Sequence, residues 1–135
     1  MPAGPPRAQV FPIKAESDVS EARLAARGLC EQLGARRVVA QKASTVVSEL
    51  ARNIFMYTAS GGTIELVPTA GPRPKLLIKA YDEGPGIPNL DEIMAGRYRS
   101  RTGLGAGLLG AKRLVERFEI TTGATGTRIS AEVDL

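Results

Sequence analysis

A carboxylate and an amide stand four residues apart in Val47-Ser48-Glu49-Leu50-Ala51-Arg52-Asn53-Ile54. At helical period Glu49 and Asn53 share one face, roughly 6 Å apart along the axis. Val46, Leu50, Ile54 and Tyr57 form an apolar stripe beside them, so the pair lies at the rim of a core. A carboxylate in that place can take a proton from a hydroxyl. An amide oxygen can serve as the one protein ligand of Mg²⁺, which keeps waters and takes other ligands from phosphates. Alone, the pair also reads as a solvated Glu and a helix-surface Asn. Two glycine-rich stretches downstream decide between these readings.

The first is Asp82-Glu83-Gly84-Pro85-Gly86-Ile87-Pro88, directly after the apolar run Lys75–Asp82. Asp82 therefore ends a strand, where its carboxylate can accept a hydrogen bond from an exocyclic amine such as that of adenine. Gly84 and Gly86 let the backbone turn sharply and approach a flat ligand. The second is Thr102-Gly103-Leu104-Gly105-Ala106-Gly107-Leu108, where three alternating glycines open a helix. Glycines there remove side chains that would block phosphates, and free N–H groups at the helix start face the ligand. Arg97, Arg99 and Arg101 precede it, suited to neutralising phosphate or docking an acidic partner. Gly105-Ala106-Gly107-Leu108-Leu109-Gly110 also matches the dinucleotide pattern G-x-G-x-x-G. A basic connector precedes it rather than a strand, and too few residues follow for a Rossmann domain. No P-loop motif occurs.

The elements that must position these residues follow from pattern. Residues 1–8 hold three prolines and a glycine and read as a disordered tail. Residues 9–135 read as a single domain. Gln9 to Ala15 predicts a strand interrupted by Pro12, as suits an edge. A helix capped by Ser17 or Asp18 runs to Gly34. A second, from about Ala35 to Thr58, carries Glu49 and Asn53. Thr63 to Val67 and Lys75 to Asp82 predict strands joined by the loop Pro68 to Pro74. Leu90 to Ala95 makes one short helical turn, and Gly103 to Arg117 a helix. Phe118 to Thr122 and Thr127 to Leu135 close the chain as strands. The order β-α-α-β-β-α-β-β predicts an α+β fold, a two-layer sandwich whose mixed, mostly antiparallel sheet carries its helices on one face.

Composition narrows the chemistry. The 135 residues, 43% hydrophobic, suffice for one core. Aromatic residues make up 4%, which argues against a base-stacking surface for single-stranded nucleic acid. The absence of His and the single Cys30 exclude a Ser-His-Asp triad, a His-ligated zinc and an intrachain disulfide. No apolar run reaches membrane-spanning length, and a reducing cytoplasm fits the cysteine content. The net charge is +4, and Arg supplies 13 of the 18 positive charges. That balance favours anionic partners, but no recognition-helix pattern accompanies it, so DNA is not the expected partner.

Together, S-E-L-A-R-N, D-E-G-P-G-I and G-L-G-A-G-L resemble the Bergerat-fold (GHKL) ATPase and kinase superfamily of Hsp90, gyrase B, MutL and the histidine kinases. Within it, the chain is similar to the small serine/threonine switch kinases that control bacterial sigma factors, most of all the stressosome kinases of the RsbT type. The resemblance covers about Val10 to Leu135. It implies ATP and Mg²⁺ as cofactors, Glu49 as general base and Asn53 as the Mg²⁺ ligand. Asp82 would bind the adenine amine, Gly84 and Gly86 would shape the adenine pocket, and Ile87 would pack beside it. Gly103, Gly105, Ala106, Gly107 and Leu108 would form the ATP lid and the helix start beneath the phosphates. Thr127 would join the adenine-site water network, and Arg101 would lie near the terminal phosphate. Leu109 departs from the family's usual proline. The implied partners are STAS-domain substrates and a PP2C-type phosphatase activated by binding. The alternative is a nucleotide-gated binding module that sequesters a sigma factor. The lack of His and of a helical dimerisation segment sets the chain apart from histidine kinases.

Overall fold

The computed structural model describes residues 7–88, 90–96 and 104–135. Five strands, β1 (Gln9–Ile13), β2 (Gly62–Thr69), β3 (Lys75–Asp82), β4 (Arg117–Gly123) and β5 (Gly126–Asp134), form one sheet in the order β1-β2-β3-β5-β4. Every pairing is antiparallel, so the sheet is not mixed. Four helices are described: α1 (Glu16–Gln32), α2 (Arg37–Tyr57), α3 (Leu90–Met94) and α4 (Leu104–Leu114). This is the expected α+β architecture.

Alternation along the strands decides which side the helices cover. Ile64 and Leu66 of β2, Leu76, Ile78 and Ala80 of β3, and Ile129, Ala131 and Val133 of β5 are buried. They form one core with Ala22, Ala26 and Leu29 of α1, Val46, Val47, Leu50 and Ile54 of α2, Ile93 of α3, and Leu108 and Ala111 of α4. The intervening residues form the other sheet face, which is polar. There Lys75 Nζ lies 2.9 Å from Glu132, and Arg117 Nε lies 3.6 Å from the same carboxylate. The Arg128 guanidinium sits 5.6 Å from the centre of the Tyr81 ring. Exposed pairs of this kind each contribute about 0–1 kcal/mol, so the apolar side carries the stability.

Local chemistry sets the ends of the elements. Neither Ser17 nor Asp18 is the cap of α1. The helix starts at Glu16 behind Ala15, and the Asp18 carboxylate reaches back to accept from Lys14 N and Ala15 N, each at 2.9 Å. Those two bonds hold the Asp18 pKa below its usual value. At the other end, Gly34 follows the last turn and Ala35 N donates to Cys30 O. Strand β2 runs on through Pro68 and Thr69, two residues predicted to be loop. Pro12 pairs with Thr63 in β1, the edge strand, where a missing N–H costs nothing in the ladder. Cys30 is fully buried, and burial pushes its thiol up to about 11. It acts as a small apolar residue.

Ile78 lies at the centre of the middle strand and has no exposed surface. Ile78→Ala is expected to destabilise the fold by about 2–5 kcal/mol. Urea unfolding followed by circular dichroism measures it.

Candidate functional site

Helix α2 crosses the covered face of the sheet for about 31 Å, given 1.5 Å per residue, and its 21 residues link the two ends of the site. Glu49 meets α4 at one end. A Cβ on Gly107 would lie 2.6 Å from Glu49 Oε2, so glycine leaves the carboxylate room to lie against α4 as it does. One turn on, Asn53 is 9% exposed, and its Oδ1 is buried with no hydrogen-bond partner among the described residues. A further turn on, the Tyr57 hydroxyl is buried and unpartnered in the same way. Such orphaned oxygens cost about 1–3 kcal/mol each, and a ligand that satisfies them recovers that cost.

The far end of α2 meets the end of β3. Ile54 packs where Gly62 pairs with Asp82. Asp82 and Thr127 sit directly opposite in the sheet, as do Thr127 and Thr122. Asp82 Oδ1 accepts from Gly84 N at 2.9 Å, which folds the loop back over the strand end. Gly84 lies against the Thr58 side chain. Gly86 adopts φ +87°, a conformation other residues reach only with strain, and its missing side chain would strike Gly123 O. Ile87 N then donates to Thr122 Oγ1 at 2.8 Å, and Thr122 Oγ1 lies 2.9 Å from Thr127 Oγ1. Thr127 is 3% exposed. Two hydroxyls thus pin the glycine loop to the last two strands.

Asp82, Gly84, Gly86, Ile87 and Thr127 therefore converge at one end of α2. Glu49 meets Gly107 of α4, with Leu108 buried behind it and Asn53 one turn further along α2. Gly105 and Ala106 fall in the first turn of α4, while Arg101 and Gly103 lie outside the described residues. Leu109 is within 3.5 Å of where a Cβ on Gly96 would stand, so it packs toward α3. An open cleft of about 680 Å³ at the tip of β3 includes Asp82, Thr122 and Arg128 in its lining, but neither Glu49 nor Asn53. Sequence reasoning missed Thr122, Thr58 and the Tyr57 hydroxyl. Tyr57 was visible at i+4 from Asn53, and Thr122 by its alternation on β4. Thr58 carried no signal. Among the described residues, no three His, Cys, Asp or Glu gather as a metal cage. The donor set instead suits a cation held by one amide oxygen and its own phosphates.

A strand-end carboxylate, a glycine loop and an α2 acid–amide pair near the first turns of α4 thus stand in one layer of the fold. Residues 38–135 match the family described as histidine kinase-, DNA gyrase B-, and HSP90-like ATPase, and the chain belongs to it. Within that family it is of the RsbT type of serine/threonine kinase. It is 40% identical over 121 residues to the serine/threonine-protein kinase RsbT of Bacillus subtilis (strain 168), covering 88% of this chain and 90% of that one. Its fold is also similar to the crystal structure of the SiaB-SiaC complex from Pseudomonas aeruginosa, with a TM-score of 0.68 at 16% identity. That match covers 93% of this chain and 88% of the other. The histidine kinase domain of the Erythrobacter litoralis EL346 blue-light activated histidine kinase aligns with a TM-score of 0.51 at 18% identity. It covers 87% of this chain and 63% of that one.

Removing the Thr122 acceptor strands Ile87 N and loosens the glycine loop. Thr122→Val is expected to cost about 1–3 kcal/mol of stability, read by thermal denaturation, while Thr122→Ser keeps the oxygen and most of the stability.

Proposed function

We propose that the chain transfers the γ-phosphoryl group of Mg-ATP to Ser or Thr of STAS-domain proteins in a bacterial stress-signalling partner switch. Residues 9–135 act as one ATP-binding kinase unit in the cytoplasm. Activation of a PP2C-type phosphatase by binding belongs to the same reading, on the strength of the similarity to RsbT. The observation that carries it is the buried, unpartnered Asn53 Oδ1 one helical turn from a carboxylate that abuts Gly107.

The roles follow from the chemistry of each group. Asp82 accepts from the adenine amine with the oxygen that Gly84 N leaves free. Thr127 and Thr122 order the water beside it, and Gly84, Gly86 and Ile87 wall the base. Asn53 Oδ1 would hold Mg²⁺, whose charge would neutralise the phosphates. The backbone from Gly103 to Leu108 offers N–H groups to the same phosphates, with Arg101 beside the terminal one. Glu49 takes the proton from the incoming hydroxyl as its oxygen bonds to the γ-phosphorus and the bond from that phosphorus to the β–γ bridging oxygen breaks, releasing ADP. The transition state is loose and needs positioning and charge neutralisation more than covalent help. Mere nucleotide binding would not require the Glu49 carboxylate.

Glu49→Ala is expected to retain ATP binding and to lose phosphoryl transfer by about 10²–10⁴-fold, measured with labelled ATP and purified STAS-domain proteins. Undiminished transfer by this variant would refute the catalytic role. Asn53→Ala is expected to lose Mg²⁺-dependent nucleotide binding as well, seen by titration with and without the metal. Failure of the unaltered chain to label any STAS-domain protein would leave the nucleotide-gated binding module as the better reading.

A further inference from the structure

Charge is unevenly shared along this chain. No Asp or Glu occurs between Glu31 and Glu49, and α4 has none. The fold brings these two stretches together. Glu49 meets Gly107, and Lys42 Nζ lies 3.5 Å from Glu116 Oε1, so α4 runs antiparallel to α2 and ends beside its first turns. Arg36 and Arg37 at the start of α2, and Lys112 and Arg113 at the end of α4, are exposed. None of the four forms an ion pair among the described residues. Glu116 has no oxygen to spare for them. Lys42 holds Oε1, and Oε2 accepts from Asp134 N at 3.0 Å. The Asp134 carboxylate itself faces Lys75 at 4.0 Å. With Lys42, these cations and Glu116 leave +4, as much as the formal net charge of the whole chain. Charges elsewhere therefore cancel, and this end holds the excess. No side chain caps α2 and no acid stands in its first turn, so the positive end of the helix dipole adds to the same field.

Two large aliphatic side chains stand among these cations. Val38 is 67% exposed and Leu114 36%. Val38 lies one turn before Lys42, and Leu114 two residues before Glu116, so they flank the ion pair that joins the helices. Their neighbours Val39 and Val115 pack on the core, while these two turn away from it. A nucleic-acid backbone would use the cations and leave both aliphatic groups in water, and aromatic residues for stacking are only 4% of the chain. A membrane-lying helix presents a long apolar face, which two residues at opposite helix ends do not make. Carboxylates beside an aliphatic side chain match both features, and Arg, three of the four free cations, pairs with carboxylates through two parallel hydrogen bonds. Arg37 lies about 18 Å along α2 from Glu49, at 1.5 Å per residue. A segment held here is out of reach of that acid, so the contact does not depend on the kinase reading. We propose that the start of α2 and the end of α4 form a docking surface for a carboxylate-rich segment of another protein that carries a large aliphatic side chain, bound apart from the nucleotide.

The test uses the full chain at physiological salt and, as the probe, a fluorescein-labelled synthetic peptide of Asp and Glu residues around a central pair of Leu. Binding is read by anisotropy. One control peptide replaces the acids by Asn and Gln, and another replaces the Leu pair by Ser. R36E/R113E is compared with R23E/K79E, which makes the same change in net charge on α1 and the open sheet face. Val38→Gln with Leu114→Gln serves as an uncharged second variant, and circular dichroism checks the fold of each, so that a misfolded charge reversal does not decide the matter. The expected result is that both surface variants, and both control peptides, raise Kd by at least about tenfold, while R23E/K79E and added Mg-ATP leave it within about twofold. No binding of the probe by the unaltered chain overturns the proposal, as does an equal Kd in the surface variants. Displacement of the probe by Mg-ATP places it at the nucleotide site and overturns the proposal. Tighter binding of duplex DNA or of phosphatidylserine vesicles than of the probe, lost in R36E/R113E, makes this a phosphate-binding surface and overturns it too. Self-association lost only in the surface variants, seen by sedimentation equilibrium, makes it a contact between copies, with the same consequence. Phosphoryl transfer enters none of these readings, so failure here leaves the kinase reading standing.

Discussion

Glu49 on α2 reaches α4 at Gly107, where a Cβ would displace its carboxylate. The spacing between α2 and α4 governs the rest of the site. That spacing is held from below by apolar contacts rather than polar ones. Leu50 and Ile54 on α2, and Leu108 and Ala111 on α4, are buried in the same core. A carboxylate and an amide thus stand at the lip of a hydrophobic layer, fixed by packing that takes no part in their chemistry. Placing reactive groups on such a scaffold restricts their freedom before any ligand arrives.

The sheet divides its work between its faces. On the covered side, the row Gly62, Asp82, Thr127 and Thr122 crosses four strands at one level. Below it the rows become wholly apolar. The same alternation that buries Ile129 and Ile78 therefore brings Asp82 and Thr127 to the top of the layer, at the rim of the core. The opposite side is laced by Lys75, Glu132 and Arg117 and has no such row. Helix α2 divides likewise, with Glu49 and Asn53 on one strip and Arg52 and Phe55 turned toward α1.

Much of this was legible in the residues because it rests on short-range rules. Period-2 alternation located β3 to the residue, and the i+4 relation put Glu49 and Asn53 on one strip of α2. Other features depended on particular contacts that composition and period do not encode. A cap was expected at Ser17 or Asp18, yet α1 starts behind Ala15, and the Asp18 carboxylate in its first turn accepts from Lys14 N and Ala15 N. Pro68 and Thr69 read as loop by composition, yet pairing with Leu76 and Lys75 keeps them in β2. The bond from Ile87 to Thr122 spans 35 residues, and no local pattern announces it. Leu114 reads as apolar and helical, yet it is 36% exposed because α4 ends there at the surface.

Cys30 lies on the buried face of α1, where burial pushes its thiol up to about 11. Sulfur is attacked by peroxide and by disulfides mainly as the thiolate. The chain holds no second cysteine to trap a sulfenic acid. Oxidants therefore find little purchase at this sulfur, and Cys30 serves the chain as packing rather than as a redox group.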